Sequence, residues 1–410
     1  NAWLLPGISS STASKGTIAQ TPKMISPYIT WEKVDNANLG FDLMLFKNRL
    51  SITADLYQRT TRDMIGPAES IPSISGIASE DRAKVNNATL RNRGWELSVS
   101  WNDKLKCGFS YGVGFNVFNY KAVVTKYNNP EGIIYNNHTG LAANKGYYEG
   151  MDLGEIWGYR ADDLFLSNRE IDDYLRKVDL TAFKSNDLWR RGDLKYIDTN
   201  GDGRVDGGKG TLSDHGDLQV IGNTTPKYSF GINLNLGYKG FEVSTLLQGV
   251  AKRDFPIAGS SYMFGGNNYN FKEHLDYFST ENPNGYLPRL TGWKDDKDFL
   301  VNTGYNTTRY LLNAAYMRMK NLTVAYTFNK KQLKHIGISN LKVYVTCDNL
   351  FTITKLPKQF DPETLNQVNM SAGGDAKNTA PGLTSPMKQN GNGMVYPMNR
   401  NFVFGLDFTF

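Results

Sequence analysis

Two cysteines in 410 residues, Cys107 and Cys347, stand far apart in the chain and exclude a disulfide framework. Long apolar runs are missing as well. No stretch of about 18 apolar residues occurs, so transmembrane helices are ruled out. There is no Lys/Arg block, and a formal net charge of +6 is spread along the whole length, which argues against a nucleic acid partner. The four histidines, His138, His215, His274 and His335, are scattered and suggest no metal cluster. The opening NAWLLPGISSS lacks a basic segment followed by an apolar core, so it is no signal peptide. Either the mature protein begins here or this is an internal piece. H-E-x-x-H, G-x-S-x-G and zinc spacings are absent, and nothing marks acid pairs such as Asp162-Asp163 as a glycosidase pair. Enzyme activity is not expected.

What the chain does have is alternation. Hydrophobic residues make up 40% and aromatics 12%, with 40 glycines and 23 tyrosines, while mean hydropathy is only −0.46. In KYSFGINLNLGYKGFEVSTLLQGV (227–250), Tyr228, Phe230, Ile232, Leu234 and Leu236 share one parity. Ser229, Gly231, Asn233, Asn235 and Gly237 share the other. Successive side chains of a strand point to opposite faces, so this is a sheet with one oily and one wet surface. Gly237-Tyr238-Lys239-Gly240 supplies the glycines of a tight reversal.

The same pattern recurs. Asn36 to Phe46 and Arg49 to Thr61 form a pair around a Lys47-Asn48 turn. Ala88 to Trp101 and Cys107 to Lys126 form another around Asn102 to Lys106. After the central hairpin come Tyr310 to Phe328, with a slip of period near Lys320-Asn321, then Leu341 to Thr354, and finally NFVFGLDFTF (401–410). A helix is expected near Glu170 to Ala182. The connections alternate short and long: 47–48, 63–87, 102–106, 127–225, 238–239, 253–308, 329–340, 355–399. Outer-membrane barrels sort their connections this way, with tight periplasmic turns and long extracellular loops, and their lipid-facing residues are diluted by alternation. A secreted β-sandwich is the alternative. About nine strands are counted. Bacterial single-chain barrels use an even number, and open edges in lipid would leave unpaired N–H and C=O groups, so further strands are expected before residue 1.

The segments 31–65, RNRGWELSVSW (91–101), 220–250, AAYMRMKNLTVAYTF (314–328), LKVYVTCDNLFTITK (341–355), FDPET (360–364) and YPMNRNFVFGLDFTF (396–410) together resemble the SusC/RagA family of TonB-dependent outer-membrane transporters. The resemblance implies an all-β fold: residues 1–410 as the C-terminal part, about nine strands, of a transmembrane antiparallel barrel of roughly 22. The plug domain and TonB box would lie outside this chain. It also implies a SusD-like surface lipoprotein as lid, TonB acting through the missing N-terminal region, dimers of transporter–lid pairs, a multi-pass location in the bacterial outer membrane, and active import of oligosaccharides or peptides. A passive porin or structural scaffold, or a secreted calcium-dependent carbohydrate-binding β protein, is the competing reading.

One motif carries chemistry. Asp198, Asn200 and Asp202 stand at positions 1, 3 and 5 of a calcium-type loop with Gly203 at position 6; Arg204 would offer its backbone carbonyl, and Asp206 follows. Position 12 should be an acid but is Lys209. In the family the loop closes on an acid just before an I-G-N segment. That implies Asp217, ahead of Ile221-Gly222-Asn223, with Asp214 as alternative. A structural calcium ion pinning the long loop is expected; the plain alternative is a solvated Asp/Gly turn. GRVDGGKG (203–210) lacks the Ser/Thr of a phosphate loop and lies among acids. Asp55, Arg59, Asn233, Asn235, Glu242, Ser244 and Gln248 fall on the wet face, either along a solute path or merely solvating it. Trp31, Trp95, Trp101, Tyr228, Tyr238 and Phe410 are candidates for interfacial girdles. For Tyr147, Tyr148, Trp157 and Tyr159, packing within the loop is favoured over stacking on sugar. Substrate-contacting residues are not identified.

Overall fold

The computed structural model describes residues 26–66, 83–134, 147–161, 163–258, 272–291, 297–329, 333, 338–365 and 398–409. Asp162 and the terminal Phe410 lie outside the described residues. No helix among those described is long and apolar enough to cross a membrane. Nine long strands form one antiparallel sheet in chain order: β1 Lys33–Leu45, β2 Leu50–Gly66, β3 Val85–Lys104, β4 Ser110–Lys126, β5 Lys227–Tyr238, β6 Phe241–Lys252, β7 Tyr316–Thr327, β8 Asn340–Asp348 and β9 Asn401–Thr409. Among the described residues, β1 and β9 each have a single neighbour, so the sheet is an open wall.

The register turns local alternation into a continuous surface. One row runs Leu45, Leu50, Trp101, Val113, Leu234, Thr245, Leu322, Cys347, Phe402 across nine strands; another runs Leu43, Ile52, Val99, Phe115, Ile232, Leu247, Met319. The opposite face carries Met44, Ser51, Ser100, Gly114 and Asn233, and nearer the turns Asn102, Gly112, Asn235, Ser244, Thr323 and Thr346. The hydroxyls of Thr323 and Thr346 bond each other at 2.9 Å. Tyr57 lies directly opposite Gly94, and Tyr344 opposite Gly405. A Cβ on either glycine would run into the facing ring, so each tyrosine covers a bare stretch of neighbouring backbone.

The apolar face is left open. Leu39, Phe41, Leu56, Phe115, Phe241, Phe404 and Phe408 are all exposed, Phe404 to 78%. A two-layer sandwich would have paired these side chains with a second sheet, and no such interior exists among the described residues. An apolar surface of this extent is unstable against water and belongs against lipid. At the short-turn end the face finishes in rings: Phe46 and Trp101 (5.9 Å), Phe109 and Tyr238 (6.3 Å), Phe241 and Tyr326 (4.6 Å).

Some expected boundaries move. The strand anticipated over Tyr310 to Phe328 is split: Leu311–Asn313 leaves the wall to pair with Asp254–Pro256, and β7 starts at Tyr316. The slip of period is real. Leu246 faces Asn321 while Leu247 faces Met319, so Lys320 is an extra residue on β7. Leu341 to Thr354 is likewise two pieces, β8 and Thr352–Thr354, which pairs with Tyr316–Arg318. The expected Glu170 to Ala182 helix is Asn168–Leu175 (α1), capped by Ser167 accepting from Glu170 N at 3.1 Å. It stops early because Asp179 pairs with the 203–205 backbone and Leu180 enters a core. Lys239 and Gly240, at φ 49° and 91°, make the β5–β6 turn, as the two-residue hairpin geometry requires.

A cation placed on the apolar face should be far more damaging than one on the polar face. Val99→Arg is expected to cost about 2–4 kcal/mol of barrel stability. Ser100→Arg, one residue away, should cost little. Urea unfolding of the full-length protein in bilayers measures both; equal losses would refute the assignment of faces.

Candidate functional site

The described parts of the later long connections are packed together. Described parts of three connections, within 147–226, 253–315 and 349–365, converge on a shared core that includes Tyr159, Phe165, Leu180, Phe183, Leu194, Tyr196, Phe255, Leu287, Tyr310 and Phe360. Tyr159 stands edge-on to Phe183 and Tyr196, and Phe183 stacks on Tyr196 at 4.3 Å. Tyr148 and Tyr159 are buried, and Trp157 packs against Tyr148 and His215. Tyr147 is half exposed beside Tyr127. Packing within the loops is therefore the arrangement of these aromatics.

The loop assembly is tied to the polar face of the wall. Val124, which shares parity with the polar row of β4, is buried with Tyr148 and Met151. Lys227 at the start of β5 donates to the Tyr120 carbonyl and lies 3.5 Å from Asp152. The FDPET segment (360–364) is the strongest tie. Arg318 reaches from the polar row of β7 to Asp361 at 2.8 Å and Glu363 at 3.1 Å, and Lys320 reaches Glu363 at 2.9 Å. Arg253 donates to the carbonyls of Pro362 and Leu365. The extra residue at Lys320 puts two cations within reach of the same acid. Burial pushes the Asp361 carboxyl up, but the Arg318 guanidinium and the N–H groups of Glu363 and Met398 outweigh it and hold the carboxyl below the usual range.

A second ion cluster, joining loop to loop, had no local signature. The side chains of Lys184 and Asp193 are fully buried. Lys184 Nζ bonds Asp193 at 2.7 Å and Asp298 at 2.6 Å, and sits over the Trp189 ring. Arg289 pairs with both acids, and Asn302 donates to Asp193 at 2.9 Å. Asp193 also accepts from Arg190 N. Two cations and two anions thus neutralise each other with their polar atoms engaged, the condition for tolerating charge in a core. Burial pushes Asp298 up, yet hydrogen bonds from Lys184 and Arg289 outweigh it and its carboxyl is held low. These partners are up to 114 residues apart, beyond the reach of a motif search.

In the 198–217 turn the anticipated acids are engaged by backbone N–H groups. Asp198 accepts from Gly201 N at 2.6 Å and Gly203 N at 2.8 Å. Asn200 accepts from Asp202 N, and Asp202 from Arg204 N. Asp217, only 1% exposed, closes the turn: it accepts from Thr199 N at 2.6 Å and Asp206 N at 3.0 Å. Asp214 instead lends its carbonyl to Lys209 N and Thr211 N. The Arg204 side chain pairs with Asp206 at 3.0 Å, and Lys209 is exposed. The donors are all hard oxygens, the chemistry calcium prefers. Each Asp198 carboxylate oxygen accepts one N–H and has a second lone pair, whereas Asp217 Oδ1 already accepts from Thr199 N, Thr199 Oγ1 and Asn200 N. The side chains do not converge into a ready cage of three or more acids among the described residues.

Toward the short turns, the polar face opens into a groove of about 620 Å³ lined by Asn102, Asp103, Asn235, Glu242, Ser244 and Lys342. Glu242 pairs there with Lys342 at 2.6 Å. Glycine and asparagine rows leave this space unfilled.

An outward apolar wall, inward-folded loops and a polar interior face are the features of a transport barrel. Residues 5–350 match the family model for the TonB dependent receptor-like β-barrel. The chain belongs to that family. It is 26% identical over 385 residues to TonB-dependent receptor P3 of Formosa agariphila, covering 93% of this chain and 34% of that protein. It is 21% identical to TonB-dependent receptor SusC of Bacteroides thetaiotaomicron, covering 85% and 31%. The RagAB peptide transporter superposes with a TM-score of 0.57 at 22% identity, covering 87% of this chain and 35% of that one. The chain therefore spans about a third of the length of the relatives it matches. Proteins of this family are outer-membrane receptors and transporters, not enzymes.

Acid should unfasten the loops before the wall. A carboxylate with a depressed folded pKa contributes stability that is complete above its unfolded value of about 4 and is lost as pH falls through the folded value. For Asp298 and Asp361 this window lies below about pH 4. Pepsin mapping of the full-length protein from about pH 4 to about pH 2 should reveal new cuts around 184–193 and 298–302; an unchanged map would refute it. Lys184→Met, which leaves two buried acids sharing Arg289 as their one cation, should cost the loop core about 3 kcal/mol, read by amide exchange at neutral pH.

Proposed function

We propose that this chain is the C-terminal wall and outer loop assembly of an outer-membrane importer that moves oligosaccharides or peptides by TonB-driven active transport. The observation that carries this reading is the one-sided loop docking. FDPET and the 148–153 segment dock on the polar side, while the apolar side stays bare. A barrel built so has a wet, loop-gated interior. A SusD-like surface lipoprotein serves as lid over these loops, TonB works through a plug region beyond this chain, and transporter–lid pairs dimerise. No covalent chemistry is required; conformational change does the work.

The 198–217 turn serves this assembly as a calcium site. Asp198, Asn200, Asp202, Asp206, Asp217 and the Arg204 carbonyl are its ligands, and the ion neutralises a turn in which acids outnumber the single nearby arginine. Its role is to stiffen the outer loops.

Deleting the adjacent lid gene or TonB should abolish growth on the imported nutrient while leaving the barrel in the outer membrane. Uptake that survives without TonB would replace the active importer with a passive pore. For the ion, the full-length protein should hold about one calcium per chain by elemental analysis. EGTA should speed loop proteolysis, and Asp198→Asn with Asp202→Asn should mimic EGTA. A calcium-free protein whose loops ignore EGTA would leave only the solvated turn.

A further inference from the structure

The outer face of β1–β4 changes character toward the long loops. Beyond the apolar rows the register stacks Ala37, Gln58, Arg93 and Lys121, then Asp35, Thr60, Arg91 and Val123. Lys33 and Arg62 come next, with Lys126 opposite Thr89. All share the parity of Phe41, Leu56 and Trp95 and so face away from the polar side. Lys33, Arg62, Arg93, Lys121 and Lys126 are exposed and Arg91 is half-buried. Asp35 and Asp63 are taken by Arg62 and Lys33. Among the described residues no carboxylate lies within ion-pair distance of Arg91, Arg93, Lys121 or Lys126.

Arg93 and Lys121 lie directly opposite each other on adjacent strands, a like-charge pair that weakens a sheet unless an anion sits between. Gln58 Oε1 accepts from Arg93 Nε at 2.6 Å, which aims the guanidinium and leaves its other N–H groups available. Arg91 is two residues along the same strand, roughly 7 Å away. Three cations at such spacing suit a phosphate monoester, with Arg offering paired N–H bonds.

We propose that this patch binds the phosphorylated headgroup of an outer-leaflet glycolipid. It rests on the reading of this face as a lipid-facing wall. The occupant follows from continuity: the patch borders the apolar rows on one face, so a phosphate here has its acyl chains lying along Phe41, Leu56 and Leu97. It is also at the long-loop end, which in such barrels is the extracellular end. A free phosphate would gain nothing from that apolar border, and the ligand is held by charge and hydrocarbon together.

The test uses the full-length transporter purified in mild detergent. Native mass spectrometry measures retention of phosphorylated lipid A, of enzymatically dephosphorylated lipid A, and of phosphorylated lipid A against excess inorganic phosphate. The protein should prefer the phosphorylated form and keep it at millimolar phosphate. Arg91→Gln, Arg93→Gln, Lys121→Gln and Lys126→Gln combined should lower retention by about tenfold or more. Lys47→Gln, at the opposite end of the same wall, should not. Persistence of the heat-modifiable folded band separates loss of lipid from loss of the barrel, and a barrel lost on Lys47→Gln as well would count against the wall itself. Equal retention of both lipid A forms, undiminished retention by the combined variant, or displacement by inorganic phosphate would each overturn the proposal. Should the combined variant fail to fold, the comparison of lipid A forms on the parent protein decides alone.

Discussion

Everything in this molecule depends on keeping register across the nine-strand ladder. Side chains alternate with a period of two, so a slip of one residue on any strand would send its grease inward and its polar groups into lipid. The backbone bonds also leave no free choice, because hydrocarbon offers no partner for an unpaired N–H or C=O. Pairing and parity therefore specify each other. The ladder takes extra residues toward the long-loop ends of β2, β4 and β7; on β7 the extra residue is Lys320. There it brings a second cation to the acids of the FDPET segment.

The loops follow from the same constraint. Once one face is committed to lipid, the long connections have only the polar side and the space beyond the wall to occupy. Described parts of three connections build a core of their own. Buried charge holds that core together and, through Arg318, fastens it to the wall. Arg318 with Asp361 and Glu363, and Lys184 with Asp193, Asp298 and Arg289, are mutually neutralised sets. Such sets are weak sources of stability but strongly penalise misassembly, since removing one partner strands a buried charge.

The wall has a chemical axis as well as two faces. Rings gather at the short turns, apolar rows fill the middle, and on β1–β4 cations cap the loop end. The polar face runs from a groove near the turns to loop contacts near the far end.

Strand existence, the two faces and the order of short and long connections were all legible from alternation, because a period of two is local and each strand declares it unaided. The Asp-rich spacing of 198–206 was legible as well, because it is local; that Asp217 accepts backbone N–H bonds from Thr199 and Asp206 is a contact only the folded turn displays. Boundaries were less secure: Leu311–Asn313 continues the alternation of β7 yet pairs elsewhere. The loop core, the Lys184 quartet and the role of FDPET were not legible, since their partners are separated by tens to more than a hundred residues and no local pattern encodes which will meet. The sequence by itself determined which side chains face lipid, because that depends only on parity along one strand. Only the tertiary structure decided which loop charges neutralise each other and which cations share a row, because those depend on distances that exist once the strands are in register.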